Sequence, residues 1–336
     1  MYANIPAPLP DEFLRSYGFR IGLMNSTHIA KQEKPLSRLV EITGLSISYF
    51  IYHHTSLGYQ RFVSGDFFHK DIGTHPDLLT NNRIYGSALS VELPQFCPSC
   101  VQEDMDFHGV SYWRRGHQLP GVDHCTKHAR SLIAAKRWCM DGRAPLNAVA
   151  VNESIPEMER DLYFSNPYIQ RYSVLSDLAM HTRVPLSPSV ITRTLVSKAN
   201  PLLGGERGVL TKFALKKLPP AWLMRHFPLI FTKPEDARFA AVDEVLRSSR
   251  NAYATKLYLL AMALLWDDPD DAMRACQQEA RVHVSGFHES GGEMALKDVL
   301  SGQSIIKSCR RHGVQLRDFE YALQQFLKSI RSVSTS

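Results

Sequence analysis

Four residues constrain this chain more than any others: Cys97 and Cys100, spaced C-x2-C, and Cys125 and His128, spaced C-x2-H. Two intervening residues let a tight turn aim both side chains at one ion. Two such turns supply the four tetrahedral donors of a closed structural zinc site. Pro98 presets the turn in the first pair. With all four positions filled by protein, the pattern predicts one structural Zn2+ that holds a fold and does no chemistry. His108, His117 and His124 stand nearby without paired spacing, and Cys139 lacks a C-x2-C mate, so a second zinc site is not expected.

Between the half-sites come Glu103-Asp104, Tyr112-Trp113-Arg114-Arg115 and His117-Gln118-Leu119-Pro120-Gly121-Val122. CPxC, ED, YWRR, HQLPGV and CxxH in this order resemble the TniQ/TnsD family, target-selection proteins of bacterial transposons, over roughly residues 90 to 135. Pro8 to Glu12, with Leu14 and Tyr17, resemble the family's opening, and LPPAWLMRHFP (218–228) loosely resembles a later stretch. The resemblance implies a non-catalytic adaptor that marks an insertion site and recruits a TnsC-like AAA+ ATPase, which engages the transposase. Shorter members, in CRISPR-associated transposons, ride on a guide-RNA complex (Cascade) that reads sequence by base pairing. Longer ones bind a fixed attachment site directly.

Within the insert, Trp113 and Leu119 are expected to cover one side of the metal. Glu103 or Asp104 is expected to accept a hydrogen bond from His117 or to pair with an arginine. Arg114 and Arg115 are candidate contacts for nucleic acid or an acidic partner; the other reading is a solvated or internally paired face.

Upstream, Asp11-Glu12 opens a helix expected to end near Tyr17. Leu36, Leu39, Val40 and Ile42 mark a helical face, Gly44 a turn, and Ser46 the cap of a second helix to about His54, with Leu45 and Phe50 inward. This helix-turn-helix offers Ser46, Ser48, Tyr49, His53 and His54 but no arginine or lysine, which fits docking better than base reading. Tyr59, Phe62, Phe67, Phe68 and Tyr85 suggest a small aromatic core in preference to a base-stacking surface. Beyond a boundary near 140–156, apolar spacing predicts helices over 158–164, 168–181, 190–196 and 213–227 (interrupted at Pro219-Pro220), with a turn over 201–208. Residues 252–266 form a buried helix too short to span a membrane. Asp267 to Asp271 cap the next helix; they lack the pattern of a calcium loop. Ser304–Arg311, a turn at 312–314 and Leu316–Ser329 make a second hairpin, with Cys309 at the crossing. Lys307, Arg310, Arg311 and Arg317 are its candidate phosphate contacts.

The expected fold is therefore mainly α. It comprises an N-terminal helix-turn-helix region (1–90), a zinc module (91–140) and a helical C-terminal domain (141–336) ending in the second helix-turn-helix-like hairpin. A net charge of +6 suits a phosphate-bearing partner, and six cysteines in 336 residues do not read as a disulfide framework. No P-loop or HExxH is present, and the opening residues have no signal-peptide pattern, which points to the bacterial cytoplasm. The length and the cation-poor first hairpin favour the Cascade-linked adaptor, with a homodimer one arrangement it allows. The alternative is a direct, sequence-specific attachment-site DNA binder carried by the basic C-terminal hairpin. A zinc-stabilised nuclease using His124 beside Asp123, and a plain zinc-dependent transcription regulator, fit less well.

Overall fold

A computed structural model describes residues 4–25, 35–64, 93–136, 144–148, 157–203, 209–232, 240–247, 252–285 and 291–312, and positions 314, 316, 319, 320, 323 and 324. The chain is mainly helical and divides into two units, residues 1–280 and 281–336.

In the first unit, helices α1 (Leu14–Asn25), α2 (Pro35–Thr43) and α3 (Ile47–His54) bury Leu14, Tyr17, Ile21, Leu36, Leu39, Phe50 and Ile51 in one small core. Gly44 takes the left-handed conformation (φ +69°) that ends α2, and Ser46 accepts a hydrogen bond from the Tyr49 amide to cap α3. The α2–α3 hairpin thus forms where the local signals put it. His54 does not face solvent: Nδ1 donates to the Glu12 carbonyl at 2.8 Å, and burial lowers its pKa to about 4.

The start of α1 differs from the sequence expectation. Asp11 and Glu12 lie outside the helix, which begins at Leu14 and runs to Asn25. Residues 9–12 instead make a turn, closed by the Glu12 amide donating to Leu9 O (3.1 Å) with Asp11 at φ +55°, and Glu12 lies opposite Arg114 in an antiparallel bridge. The Phe13 amide donates to Trp113 O (2.7 Å) and the Arg115 amide to Asp11 O (3.0 Å). The acidic pair that resembles a helix start is consumed by this pairing.

Helix α4 (Leu57–Gln60) leads toward the larger core. After it come β1 (Gln95–Phe96), α5 (Pro98–His108), a 3-10 turn (Arg115–Gln118), β2 (His124–Cys125), β3 (Arg130–Ser131) and β4 (Ile133–Ala134). β1 pairs antiparallel with β4, and β2 with β3, in register His124–Ser131 and Cys125–Arg130.

The helical layer of this unit is α6 (Glu157–Ser165), α7 (Pro167–Met180), α8 (Pro188–Leu203), α9 (Val209–Lys217), α10 (Pro220–His226), α11 (Ala240–Asp243), α12 (Thr255–Leu265) and α13 (Pro269–Ser285). Asn166 caps α7 by accepting from the Tyr168 and Ile169 amides, and Pro167 occupies the first turn, where its missing N–H costs nothing. The period read from sequence holds: Ile169, Tyr172 and Leu175 are fully buried, and Leu178 packs partly buried against the core. α12 is buried on all sides from Thr255 to Leu265 except half-buried Lys256. Pro201 lies inside α8 instead of opening a turn, because a lost i to i−4 bond is tolerated near a helix end. Tyr59 and Phe62 join this core; Phe67, Phe68 and Tyr85 lie outside the described residues.

Gly58 sets how closely α4 approaches α7. A Cβ there would collide with the carbonyl group of Met180, which is backbone and cannot swing away. Gly58→Ala is expected to destabilise the protein by roughly 2–3 kcal/mol in a denaturant titration, the scale of core overpacking. Gly116→Ala, whose Cβ would meet only side-chain ends at 3.7 and 3.9 Å, should stay near wild type and serves as the control.

In the second unit, α14 (Gly291–Leu300) packs on α15 (Ile305–Arg311) around Ala295, Leu296, Cys309 and Phe319. Cys309 sits at a helix crossing, clustered with Ala295 and Leu296 of α14, an element the sequence reading did not pick out, and with the expected Phe319, against which Leu323 packs partly buried. Of the expected second helix over 316–329, only positions 316, 319, 320, 323 and 324 are described.

Candidate metal centre and its surroundings

Cys97 is the N-cap of α5, Pro98 its first residue, and Cys100 lies one turn in. Cys125 ends β2, and His128 stands in the turn before β3. A helix N-terminus and a hairpin knuckle thus face each other, each contributing two donors. The Sγ atoms of Cys100 and Cys125 are 3.7 Å apart, and His128 Nδ1 is 3.7, 3.3 and 3.6 Å from the sulfurs of Cys97, Cys100 and Cys125. These separations are far beyond a disulfide bond. They match the edges, about 3.5–3.8 Å, of a tetrahedron with metal–sulfur and metal–nitrogen bonds of about 2.3 and 2.0 Å. All four donor atoms lie within 4.8 Å of one another, so these residues could hold one metal ion.

The electrostatics of the thiols also favour a cation. Hydrogen bonding within the cluster holds the Cys97 thiol well below its usual range and pushes Cys100 well above. The sulfurs compete for negative charge, a competition that a divalent ion ends. The positive N-terminal end of α5 favours the thiolate forms of Cys97 and Cys100, the forms that ligate a metal.

Outer contacts fix the ligands. Glu103 Oε1 accepts from His128 Nε2 at 2.9 Å, leaving Nδ1 to face the sulfurs. Glu103 also pairs with Lys127. The expected partner of an acidic residue, His117, is placed otherwise: buried, with its pKa lowered to about 4 by burial, its Nε2 lies 3.9 Å from Cys100 Sγ. Leu119, Val122 and Leu132 are buried with the three cysteines. Trp113 is not; it packs with Phe13, Ala135 and Phe96, clamping the N-terminal arm.

The insert residues bind to the rest of the unit. Gln118 acts as an extra strand partner, accepting from the Gln95 amide (3.0 Å) and donating to the Gln95 carbonyl (2.7 Å). Gly121 has φ +79°, and a Cβ there would meet the Tyr172 ring at 2.6 Å. That clearance lets Tyr172 Oη donate to the Pro120 carbonyl at 2.8 Å, while Tyr59 Oη lies 3.3 Å from Tyr172 Oη and Trp222 and Phe227 pack edge-on against the Tyr172 ring. The HQLPGV block is thus a seat for Tyr172.

Arg114 pairs with buried Asp104 at 2.5 Å and lies over the Tyr112 ring. Arg115 is 1 % exposed and spends its guanidinium on Asp11 Oδ1 (2.9 Å), the carbonyls of Tyr52 and Thr55, and His181 Nε2 (3.0 Å). Both arginines are therefore internally paired, and Arg115 has no open face for a phosphate. In the second unit Lys307 and Arg310 are exposed, Arg311 donates to Asp298 at 3.1 Å, and Arg317 lies outside the described residues.

The residues of the nuclease reading do not form a dyad. Asp123 accepts from His226 Nε2 at 2.7 Å, and that interaction, with Arg225, outweighs burial and keeps its pKa low. His124 Nδ1 instead faces Ser173 Oγ at 3.3 Å, with its ring edge-on to Phe164. A cleft of about 220 Å³ runs beside the cluster, lined by Cys100, His117, His124, Asp177 and His181 among others.

No curated protein matches the chain. A family model does: residues 4–132, which contain the arm, the α1–α3 core and the complete Cys97, Cys100, Cys125 and His128 donor set, match the family described as TniQ.

Proposed function

We propose that the chain is a non-catalytic target-selection adaptor of DNA transposition, held together by one structural Zn2+ at Cys97, Cys100, Cys125 and His128. The observation that carries this reading is the TniQ match, because it spans both the arm and the donor set that the fold interlocks. The closed set of four donors supports a structural ion in place of a hydrolytic one. Three soft thiolates and one imidazole at tetrahedral spacing suit zinc.

In this reading the adaptor acts in the bacterial cytoplasm, bridging a guide-RNA Cascade complex to a TnsC-like AAA+ ATPase and its transposase. Among the described residues no helix is long and apolar enough to cross a membrane. Its regions of action are 1–90, 91–140 and 141–336. The α2–α3 hairpin, whose second helix carries no arginine or lysine, serves as a docking element, possible within a homodimer. Exposed Lys307 and Arg310 are the residues through which direct DNA binding would act.

The test is an affinity pull-down of the tagged chain from cells carrying its native gene neighbourhood, with and without nuclease. Recovery of Cas proteins and a short guide RNA that survives DNA digestion is the expected result. Recovery of one chromosomal segment without Cas proteins would replace the Cascade-linked reading with direct attachment-site binding. Recovery of neither would remove both.

A further inference from the structure

The four donors of the metal centre do not meet the surroundings alike. The cleft of about 220 Å³ beside the cluster is lined by Cys100 and Cys125, whereas Cys97 and His128 do not line it. Thr126, Lys127 and His181 along its wall are exposed, and Leu119 and Val122 are buried with the two cysteines. The cleft thus runs from a polar mouth to a floor that carries two sulfurs. Cys100 and Cys125 are each 2 % exposed, and Cys97 is 0 % exposed. The opening ends on one edge of the tetrahedron, the 3.7 Å edge between the Cys100 and Cys125 sulfurs.

A metal-bound cysteine is a thiolate, the nucleophilic form of the side chain, and its oxidation is governed by access. A disulfide bond is about 2.0 Å long, so the two sulfurs at the floor need to close by only about 1.7 Å. Among the described residues the other cysteines outside the donor set, Cys276 and Cys309, lie buried in separate cores and have no such neighbour. Charges of both signs, Asp11, Arg114, Lys127 and Asp177, line the cleft, which neither draws in nor repels a small neutral oxidant.

We propose that Cys100 and Cys125 are a site of reversible oxidation by hydrogen peroxide entering the cleft, and that their disulfide expels the ion, an inference that rests on the structural-ion reading of this site. One thiolate attacks the peroxide: an S–O bond forms, the O–O bond breaks and hydroxide leaves. The second thiolate attacks the resulting sulfenic acid: the S–S bond forms, the S–O bond breaks and a second hydroxide leaves. The two sulfurs together lose two electrons, the peroxide gains them, and two protons from solvent turn both hydroxides into water. Cys97 and His128 remain as donors, too few for a closed zinc site. The donor set ties the start of α5 to the β2–β3 hairpin, so its loss loosens the module until a reductant and zinc restore it.

The test treats the zinc-loaded full chain with hydrogen peroxide in modest excess. A chromogenic chelator follows metal release, and mass spectrometry maps the cysteines after free thiols are blocked without reduction. One zinc should leave per disulfide, the bond should join Cys100 to Cys125, and Cys97 should be recovered as a blocked thiol. Dithiothreitol with added zinc should restore the metal content. Peroxide using the cleft acts on the folded chain, so the rate should stay constant in low urea. Gly116→Leu places a side chain on the cleft wall, where a Cβ meets only side-chain ends, and should slow the reaction roughly tenfold. A rate that rises with urea in step with unfolding would overturn the cleft route, as would a wild-type rate in a folded Gly116→Leu chain. Zinc release with the bond made to Cys97, or to Cys139 outside the described residues, would overturn the pairing. A chain that keeps both its zinc and its thiols would overturn the proposal outright. A wild type purified without zinc would remove the metal reading instead, and the mapped bond would still decide the pairing.

Discussion

Cys100→Ser is expected to abolish metal binding and to unfold the region around the cluster. The serine hydroxyl keeps its shape close to that of the thiol but does not ionise at neutral pH, so one corner of the tetrahedron loses its charged donor. Apparent binding free energies of structural zinc are about 10–16 kcal/mol, as large as or larger than the whole net stability of a typical domain, about 5–15 kcal/mol. The damage should not stay local, because Cys97, Cys100 and Cys125 share a core with Tyr172, Trp222 and Leu223. Elemental analysis of the purified wild type should find about one zinc per chain, and of the variant none, with the main thermal transition lost or strongly lowered. Cys276→Ala removes a buried thiol that is not part of the donor cluster, and should keep the metal while losing only a few degrees. Unchanged metal content in Cys100→Ser would sink the assignment of this donor set.

Arg115→Met should destabilise the protein by about 3 kcal/mol, the lower end of what breaking a buried charge pair costs. The lower end applies because Asp11 is 44 % exposed and can be rehydrated. The carbonyls of Tyr52 and Thr55 are left without their donor, and the methionine supplies none. In a domain of this size such a loss lowers the melting temperature by roughly 6–12 °C. Arg115→Lys should recover less than half of it, since one ammonium cannot reach Asp11, two carbonyls and His181 in the directions a planar fork does. Zinc content should be unchanged in both variants, because Arg115 touches no metal donor. A melting temperature equal to wild type in Arg115→Met would show that solvent replaces these contacts without loss.

What could be read from sequence was local. Cys97 and Cys100 point at one ion because a helix start puts residues three apart on one side, and Cys125 and His128 because a hairpin turn does. Gly44 and Ser46 announce the α2–α3 turn by their own backbone and side-chain preferences. The contacts of Arg115 gave no such signal: Asp11 is 104 residues away and His181 is 66. A basic pair next to tryptophan reads as a ligand surface until the buried carbonyls that claim it are seen. The start of α1 was misplaced for the same reason, since an acidic pair after proline looks like a helix opening whether or not Arg114 and Arg115 are waiting to pair with it. Trp113 is expected over the metal because a small knuckle has little apolar volume of its own; Leu119 fills that place, while the Trp113 ring packs with Phe13. The zinc-stabilised nuclease reading likewise paired Asp123 with His124 because they adjoin, whereas successive residues diverge and Asp123 finds His226.

The seat that Gly121 opens for Tyr172 has a consequence for how the chain is made. When residue 132 leaves the ribosome, all four metal donors are available, yet the Pro120 carbonyl still lacks Tyr172 and the buried face of the module still lacks Trp222 and Phe227. The nascent segment must wait about ninety further residues for its cover, several seconds at ordinary translation rates of about 5–20 residues per second. Early capture of zinc would hold the half-built segment in register through that interval. A gene fragment ending at the boundary of the family match would make the interval permanent, yielding a metal-bound but sticky product in place of a soluble module.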